Sequence, residues 1–242
     1  MLAKKLGLKT ETFQRLLLMR WPCFMFNMLW MCCEHAGPPQ EDLWCIEYMS
    51  GVGRIAKHFT EQGLLAATYD NSDEPLFQDI LKPEGFATAL RLTSRLTCKA
   101  FAHWGTVCSN WVWMSRSRSG RGGGNIYGDT SKEKVRAANA MVARLIVLLM
   151  FFEALGALWF LEQPQSSLML KFPPFQILGK DCLTQLFFMM AAYGADTLKP
   201  TWVGSSRDFV GLLKKKRRKA LHRSARLRVS MKMEESPASL RH

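Results

Sequence analysis

From Leu43 onward, apolar runs alternate with amphipathic segments in a regular order. The segment LWCIEY predicts a strand, SGVG a glycine turn, RIAKHFTEQG a helix, and LLAATYD a second strand that ends at Asp70. A strand, a helix and a further strand in this order predict a βαβ unit, in which the two strands lie parallel.

The alternation continues through the rest of the chain. We expect helices at residues 84–96 and 131–155, with Thr130 or Ser131 capping the second, and a loop at 115–125. Strands are expected at 101–107, at ALWFLEQP up to Pro164, and at TQLFFMMAAYGA and PTWVGSS. This order predicts an α/β fold: a Rossmann-like, doubly wound, mostly parallel sheet with a late antiparallel hairpin strand.

The domain organisation follows from the length of 242 residues and the distribution of apolar residues. We expect a leader at 1–40, which either folds onto the domain or is unstructured, one domain at 41–211, and a basic tail at 212–242. Arg20 and Pro22 interrupt the apolar run of the leader, and Arg144 and Glu153 interrupt the later one. No membrane span is predicted, and the later run is typical of a buried helix followed by a strand.

The formal charge of +13 is concentrated at the end of the chain. From residue 214 onward, eleven Lys and Arg residues and two Glu residues supply +9 of it. The tail is interpreted as solvated, as a nuclear import signal or as an arm that binds phosphates; a membrane-surface segment ranks lower. It indicates a nucleic acid partner, with DNA favoured, and a nuclear location, with the cytoplasm as the alternative. The candidate contacts are Lys214, Lys215, Lys216, Arg217 and Arg218.

The seven cysteines are odd in number and have no CxxC spacing. This usage favours a reducing compartment and indicates neither a disulfide framework nor a zinc site, so we expect no bound metal.

The glycine turn is the first candidate for chemistry. Gly51 and Gly53 lie between a strand and a helix, where backbone can approach a ligand, and Asp70 ends the next strand, where it can accept hydrogen bonds from ribose hydroxyls. The third glycine of a dinucleotide fingerprint is missing, and Glu47 suits a cationic ligand. The pattern indicates a nucleoside-like ligand; an ordinary tight turn is the alternative.

Several segments together resemble a known family. EYMSGVG, Asp70 and FQDIL are similar to the first three motifs of S-adenosylmethionine-dependent methyltransferases, and the later segments resemble the cytosine-C5 DNA type. The resemblance implies S-adenosylmethionine as cofactor, with Cys108 as nucleophile, Glu162 as the acid at the ring nitrogen, and Tyr193 with Gly194 as a later motif. It also implies cofactor contacts from Glu47, Ser50, Gly51, Gly53, Asp70 and Asp79.

The chemistry requires a cysteine and an acid at one place. Carbon 5 of cytosine is a poor nucleophile until a thiolate adds at carbon 6, and that addition needs charge on the ring to be neutralised. Residues just beyond the carboxyl ends of adjacent strands meet at one edge of a doubly wound sheet. We therefore expect Cys108 and Glu162 to converge there; for Cys108 alone, a buried, inert thiol is the alternative.

The stretch after Cys108 combines arginines with glycines. Arg116, Arg118 and Arg121 are candidate phosphate contacts, and the glycines at 120 and 122–124 would let the loop close over an extruded base. The alternative is a solvated loop or a basic linker. Trp111 and Trp113 are expected in the core, as is usual for aromatic residues beside a strand end.

The chain also departs from the family it resembles. Cys108 lies in TVCSN without the usual preceding proline and following glutamine, Gln163 and Pro164 follow Glu162, and Met49 replaces an aromatic residue. No segment is long enough for a large target-recognition domain, so a separate partner would have to read the DNA sequence. Two alternatives stay open: a methyltransferase of RNA or protein without a covalent step, and a noncatalytic nucleic-acid-binding protein with this fold.

Overall fold

Six strands form one sheet in the computed structural model, which describes residues 2–178 and 183–205. The order across the sheet is β2-β1-β3-β4-β6-β5; β1 to β4 are parallel, and β6 is antiparallel to both of its neighbours. The expected α/β fold with a mostly parallel sheet and a late antiparallel hairpin is confirmed. The strands are β1 (Leu43–Tyr48), β2 (Ala66–Tyr69), β3 (Leu96–Trp104), β4 (Leu158–Pro164), β5 (Thr184–Met189) and β6 (Pro200–Ser205).

Helices lie on both faces of β1. The Glu47 carboxylate accepts the first free N–H groups of one helix, α4, whereas the Tyr48 hydroxyl donates to the Ala89 carbonyl of another, α5, at 3.0 Å. Successive strand residues point to opposite faces, so α4 and α5 cover opposite faces of the strand. The helices are α1 (Leu2–Lys5), α2 (Thr10–Leu18), α3 (Cys23–Ala36), α4 (Arg54–Glu61), α5 (Pro83–Ser94), α6 (Arg116–Ser119) and α7 (Glu133–Leu155).

The main core lies between the sheet and helices α5 and α7, which cover one face of the sheet. Trp104, Trp159, Phe151 and Phe152 are fully buried there, and Tyr48 stacks on Trp104 with ring centroids 3.9 Å apart. Helix α7 is long and apolar enough to cross a membrane by length and composition alone, but most of it is buried inside the domain. Burial on nearly all sides accounts for its apolar sequence.

The segment that holds helices α1 to α3, within residues 2–36, contributes side chains to this core. Leu16, Met25 and Leu29 are at most 1% exposed and belong to the main core cluster. The Trp21 indole N–H donates to the Val147 carbonyl of α7 at 2.9 Å, and Arg91 of α5 donates to carbonyls at the end of α3. Of the two possibilities left open by the sequence, the structure therefore shows a segment that folds onto the domain.

Some element boundaries differ from those expected. The strand expected at 101–107 spans Leu96–Trp104, because Leu96 already pairs with Leu43 of β1 and is buried, and pairing resumes at Phe101–Trp104 after an irregularity in the register. The strand expected at TQLFFMMAAYGA ends at Met189 as β5, and a 3-10 turn at Met190–Tyr193 follows it. Helix α7 begins at Glu133, two residues after the expected cap, and neither Thr130 nor Ser131 caps it with a side chain.

Candidate functional site

The carboxyl ends of β1, β3 and β4 lie side by side at one edge of the sheet. The glycine turn follows β1, the Cys108 loop follows β3, and Glu162 lies in β4, two residues before the strand ends. From β1 the chain passes to β2 on one side, while β3 pairs with β1 on the other. In open parallel sheets, ligands bind in the crevice at such a reversal of strand order.

The glycine turn has a left-handed backbone. Gly51 and Gly53 have φ angles of 53° and 62°, and Met49 has a positive φ of 54° although it is not a glycine. A non-glycine residue in this region is uncommon and occurs most often at functional sites. The Ser50 hydroxyl is buried without a hydrogen-bond partner among the described residues, so it has bonding capacity left for a ligand.

Asp70 lies against this turn. Its carboxylate accepts the Gly51 N–H at 2.9 Å and both the N–H and the hydroxyl of Ser72. Burial raises the pKa of Asp70, but the hydrogen bonds from Ser72 and Gly51 outweigh it and hold the pKa below its ordinary range. A carboxylate offers about four acceptor positions, so room remains for a further donor such as a ribose hydroxyl.

Glu47 has a structural partner that the sequence did not reveal. It is 5% exposed, and one carboxylate oxygen accepts the N–H groups of Ile55 and Ala56, each at 2.9 Å. Gly53 precedes α4 and has no side chain to cap it, so Glu47 satisfies the free N–H groups at the start of this helix. It can thus support the turn electrostatically without touching a ligand.

His103 is a buried polar residue that the sequence reasoning missed. It pairs in register with Glu47, and its Nδ1 lies 4.0 Å from a Glu47 carboxylate oxygen. Burial lowers the pKa of His103, while the charges of Glu47 and Glu162 oppose this shift without cancelling it. Pairing of β1 with β3 was needed to bring these residues together, so no local pattern could have identified the pair.

Asp79 lies in the turns between β2 and α5. Its side chain accepts the N–H of Leu81 at 2.9 Å, which closes its own turn. The neighbouring Gln78 accepts the Asp70 N–H at 2.8 Å, so this segment is held beside the end of β2. A cavity of about 400 Å³ adjoins the glycine turn; among its lining residues are Gly51, Gly53, Lys57, Thr68 and Asp73.

The loop that carries Cys108 is hydrogen-bonded to strand β4, which carries Glu162. The Gln163 side chain donates to the Thr106 carbonyl at 2.6 Å, and these residues are one and two positions from Glu162 and Cys108. Cys108 is half-buried with a free thiol, and Lys199 pairs with Glu162 at 2.9 Å. The structure therefore brings the Cys108 loop and Glu162 of β4 to one edge of the sheet, where Lys199, which was not predicted, lies beside the Glu162 carboxylate.

The three arginines after Cys108 occupy different environments. Arg116 and Arg118 are exposed, and the Arg116 guanidinium lies 3.8 Å from the centroid of the Trp113 ring. Arg121 is 3% exposed and donates to the carbonyls of Asn110 and Ile126 and to the Asn139 side chain. Burial lowers the pKa of Arg121 to about 10.

Arg121 therefore does not fit the expected role as a phosphate contact. Its guanidinium faces inward over Trp111, 3.6 Å from the ring centroid, and fixes the loop to α7. The same contact explains why Trp111 is fully buried, as expected, whereas Trp113 is half exposed, contrary to the expectation of a core position. The tail candidates Lys214, Lys215, Lys216, Arg217 and Arg218 lie outside the described residues.

No family model matches the chain, and neither does any curated protein sequence or solved structure. Within residues 2–178 and 183–205, no group of three or more His, Cys, Asp or Glu side chains is arranged to hold a metal ion. A function for this site must therefore be argued from its own residues and geometry.

Proposed function

We propose that the chain is an S-adenosylmethionine-dependent methyltransferase with a Rossmann-like, doubly wound sheet, and that it acts on nucleic acid, with cytosine C5 of DNA as the target. The observation that carries the proposal is the contact between Gly51 and Asp70 at the reversal of strand order. A glycine turn and a carboxylate at these two strand ends suit the ribose of a nucleoside ligand.

The residues around the turn fit this cofactor. The buried Ser50 hydroxyl has no partner among residues 2–178 and 183–205, Asp70 keeps acceptor capacity, and a cavity adjoins the glycines. Two carboxylates, Glu47 and Asp70, give the turn a negative potential that favours a cationic ligand and disfavours phosphates. When bound, S-adenosylmethionine supplies a methyl group carried on a positively charged sulfur.

Cys108 and Glu162 would act on the pyrimidine ring. Cys108 loses its thiol proton, and the thiolate forms a bond to carbon 6, which makes carbon 5 nucleophilic. Glu162 protonates the ring nitrogen and so neutralises the charge that the addition places on the ring. After carbon 5 has taken up the methyl group, loss of its proton would re-form the double bond between carbons 5 and 6. The bond from sulfur to carbon 6 would then break, the ring nitrogen would return its proton to Glu162, and Cys108 would be regenerated.

Calorimetric titration with S-adenosylmethionine, and then with its demethylated product, tests the cofactor site. We expect Asp70→Ala to weaken binding by on the order of 1 to 3 kcal/mol, because the ribose loses its acceptor. Glu61→Ala is the control, since it removes an exposed carboxylate from the far end of α4. Equal affinity of Asp70→Ala and wild type, with circular dichroism unchanged, would contradict the proposed site.

The covalent step has a separate test. DNA that carries 5-fluorocytosine cannot release the substituent at carbon 5, so it should stay attached to the protein under denaturing conditions. We expect Cys108→Ser to abolish this adduct and Glu162→Gln to slow its formation. Cys98→Ser, at an exposed cysteine in β3, should leave it unchanged. If cofactor and DNA both bind and no adduct forms, a methyltransferase of RNA or protein without a covalent step replaces this mechanism.

The basic tail is proposed to strengthen DNA binding through phosphate contacts. Removing residues 214–242 takes away +9 of the net charge, so DNA affinity should fall and its salt dependence should flatten, while cofactor affinity stays the same. An unchanged slope of log affinity against log salt would restrict the tail to nuclear targeting.

A noncatalytic nucleic-acid-binding protein is the second candidate. It is favoured by the engagement of both candidate cofactor carboxylates with the chain's own backbone, Glu47 with α4 and Asp70 with the turn. Retained DNA binding without any heat of cofactor binding would support this candidate over the first.

A further inference from the structure

The loop after β3 exposes large apolar side chains beside the candidate nucleophile. Trp113 is 50% exposed, the highest value among the eight tryptophans, and Met114 is 87% exposed. The Arg116 guanidinium stacks over the Trp113 indole, and neither Arg116 nor Arg118 forms an ion pair within the described residues. An exposed indole with uncompensated positive charge beside it is typical of a surface that binds another molecule.

This exposed loop is held firmly in place. The Trp113 N–H donates to the Ser166 carbonyl at 3.2 Å, Val112 and Ser167 form an antiparallel bridge, and the Leu168 N–H donates to the Trp111 carbonyl at 2.8 Å. Ser166 follows Glu162 by four residues. These are backbone contacts, so they fix the main chain that carries the Trp113 indole at the sheet edge with both catalytic candidates, which lowers the entropic cost of binding there.

A cavity with three basic residues is lined by other residues of the same loop and by the start of α7. It has a volume of about 590 Å³, and its lining residues are Ser109, Asn110, Ser115, Arg118, Lys132, Glu133, Lys134 and Val135. Lys132 is paired with Asp129 at 3.2 Å, whereas Arg118 and Lys134 have no ion pair in the part of the chain that the structure describes. Two free cations and several hydroxyl and amide groups suit a phosphate.

We propose that Trp113, Arg116 and this cavity form a binding surface for single-stranded nucleic acid, with a base stacked on the indole and a backbone phosphate at Arg118 and Lys134. Stacking requires an open base face, which a duplex covers with its neighbouring base pairs, whereas the phosphates are accessible in both forms. The inference rests on the proposed function only in taking nucleic acid as the ligand. It narrows the substrate to an unpaired strand.

The test compares affinities for labelled strands by fluorescence anisotropy. Probes are oligo-dT, oligo-U and a DNA hairpin of the same length, and oligo-dT and oligo-U distinguish DNA from RNA as the strand. Trp113→Ala should weaken binding of the preferred single strand about tenfold or more, since stacking of a base contributes about 1 to 3 kcal/mol. Trp113→Phe should keep most of the wild-type affinity for the single strand, because a smaller aromatic ring still stacks on a base.

Matched controls separate stacking and phosphate contact from a general loss of surface. Trp30→Ala removes a tryptophan that is 47% exposed on α3, away from the sheet edge, and should leave affinity unchanged. Arg118→Gln and Lys134→Gln should each reduce the slope of log affinity against log salt by about 0.7, as for a lost contact to a single strand. Lys99→Gln, an exposed lysine in β3, should not.

The outcomes are distinguishable from failure of the proposed function. Unchanged single-strand affinity in Trp113→Ala, or tighter binding of the hairpin than of oligo-dT and oligo-U, would overturn the inference whether or not cofactor binds. Single-strand binding that depends on Trp113 in a protein that gives no heat with S-adenosylmethionine would support the inference and reject the methyltransferase.

Discussion

The glycine turn after β1 and the loop at residues 116–125 both combine glycine with basic residues and both come after a parallel strand. In the turn, Gly51 and Gly53 hold a left-handed backbone, and Asp70 and Glu47 bind the N–H groups around them. In the loop, the glycines at 122–124 face open space, and one buried side chain, Arg121, fixes the fold of the segment.

This difference shows which sequence features report on structure. A glycine between a strand and a helix predicts a left-handed backbone at that position, because few other residues adopt this conformation. A run of arginines carries no comparable information, since exposure depends on what packs against each one. Arg116 and Arg121 are five residues apart, and only Arg116 remains on the surface.

The largest contrast should come from the two tryptophans of the loop. Trp111→Ala should lower the free energy of unfolding by about 3 to 5 kcal/mol, because the indole is fully buried against Phe172 and Arg121. Trp113→Ala should change it by less than about 1 kcal/mol, as is usual for an exposed position. Urea unfolding measures both, and similar losses would show that Trp113 is a core residue after all.

The arginines should differ nearly as much. Arg121→Ala leaves the Asn110 and Ile126 carbonyls and the Asn139 side chain without their donor, so we expect a loss of about 3 kcal/mol in unfolding free energy. Arg118→Ala, at an exposed position, should stay within about 0.5 kcal/mol of wild type. An equally small effect at Arg121 in urea unfolding would restore it as a candidate phosphate contact.

A smaller difference is expected between glycines of the two segments. Gly53→Ala should cost about 1 to 2 kcal/mol, because φ is 62° and a Cβ atom would lie 2.9 Å from the Thr68 methyl group. Gly123→Ala meets no atom within 4 Å and should stay within about 0.5 kcal/mol of wild type. Thermal unfolding of the two variants checks this, and reversed effects would mean that the loop and not the turn needs its glycine.

The smallest expected effect is a pH dependence at His103. Because burial holds the pKa of His103 below its ordinary value of 6.5, the unfolded chain binds a proton more readily than the folded one. The free energy of unfolding should therefore fall as pH decreases below about 6.5. His103→Asn should reduce the decrease in the free energy of unfolding between pH 7 and pH 5, measured by urea unfolding. Identical pH dependence in the variant and wild type would exclude His103 as its source.

The sequence predicted the parts of the site that follow from chain order. Gly51, Asp70 and Cys108 come after successive strands and Glu162 lies near the end of the next strand, β4. Parallel strands present their carboxyl ends at one edge, so the common location of these residues was foreseeable. The pairing of Glu47 with α4, the contact of Lys199 with Glu162 and the buried His103 were not. Each of these three contacts joins residues of different elements, and no local sequence pattern shows that those elements lie close together.

The order of strands and helices along the chain, the mostly parallel sheet and the late hairpin could be predicted from the sequence alone. Apolar periodicity and turn residues, which mark the elements, act over a few neighbouring positions. Tertiary structure decided that the segment of helices α1 to α3 packs onto the core and that Trp111 and Arg121 turn inward while Trp113 and Arg116 stay outside. Burial of one side chain depends on packing against distant segments, here Phe172 and Asn139. That packing fixes which residues of a basic, aromatic stretch are left to meet a ligand.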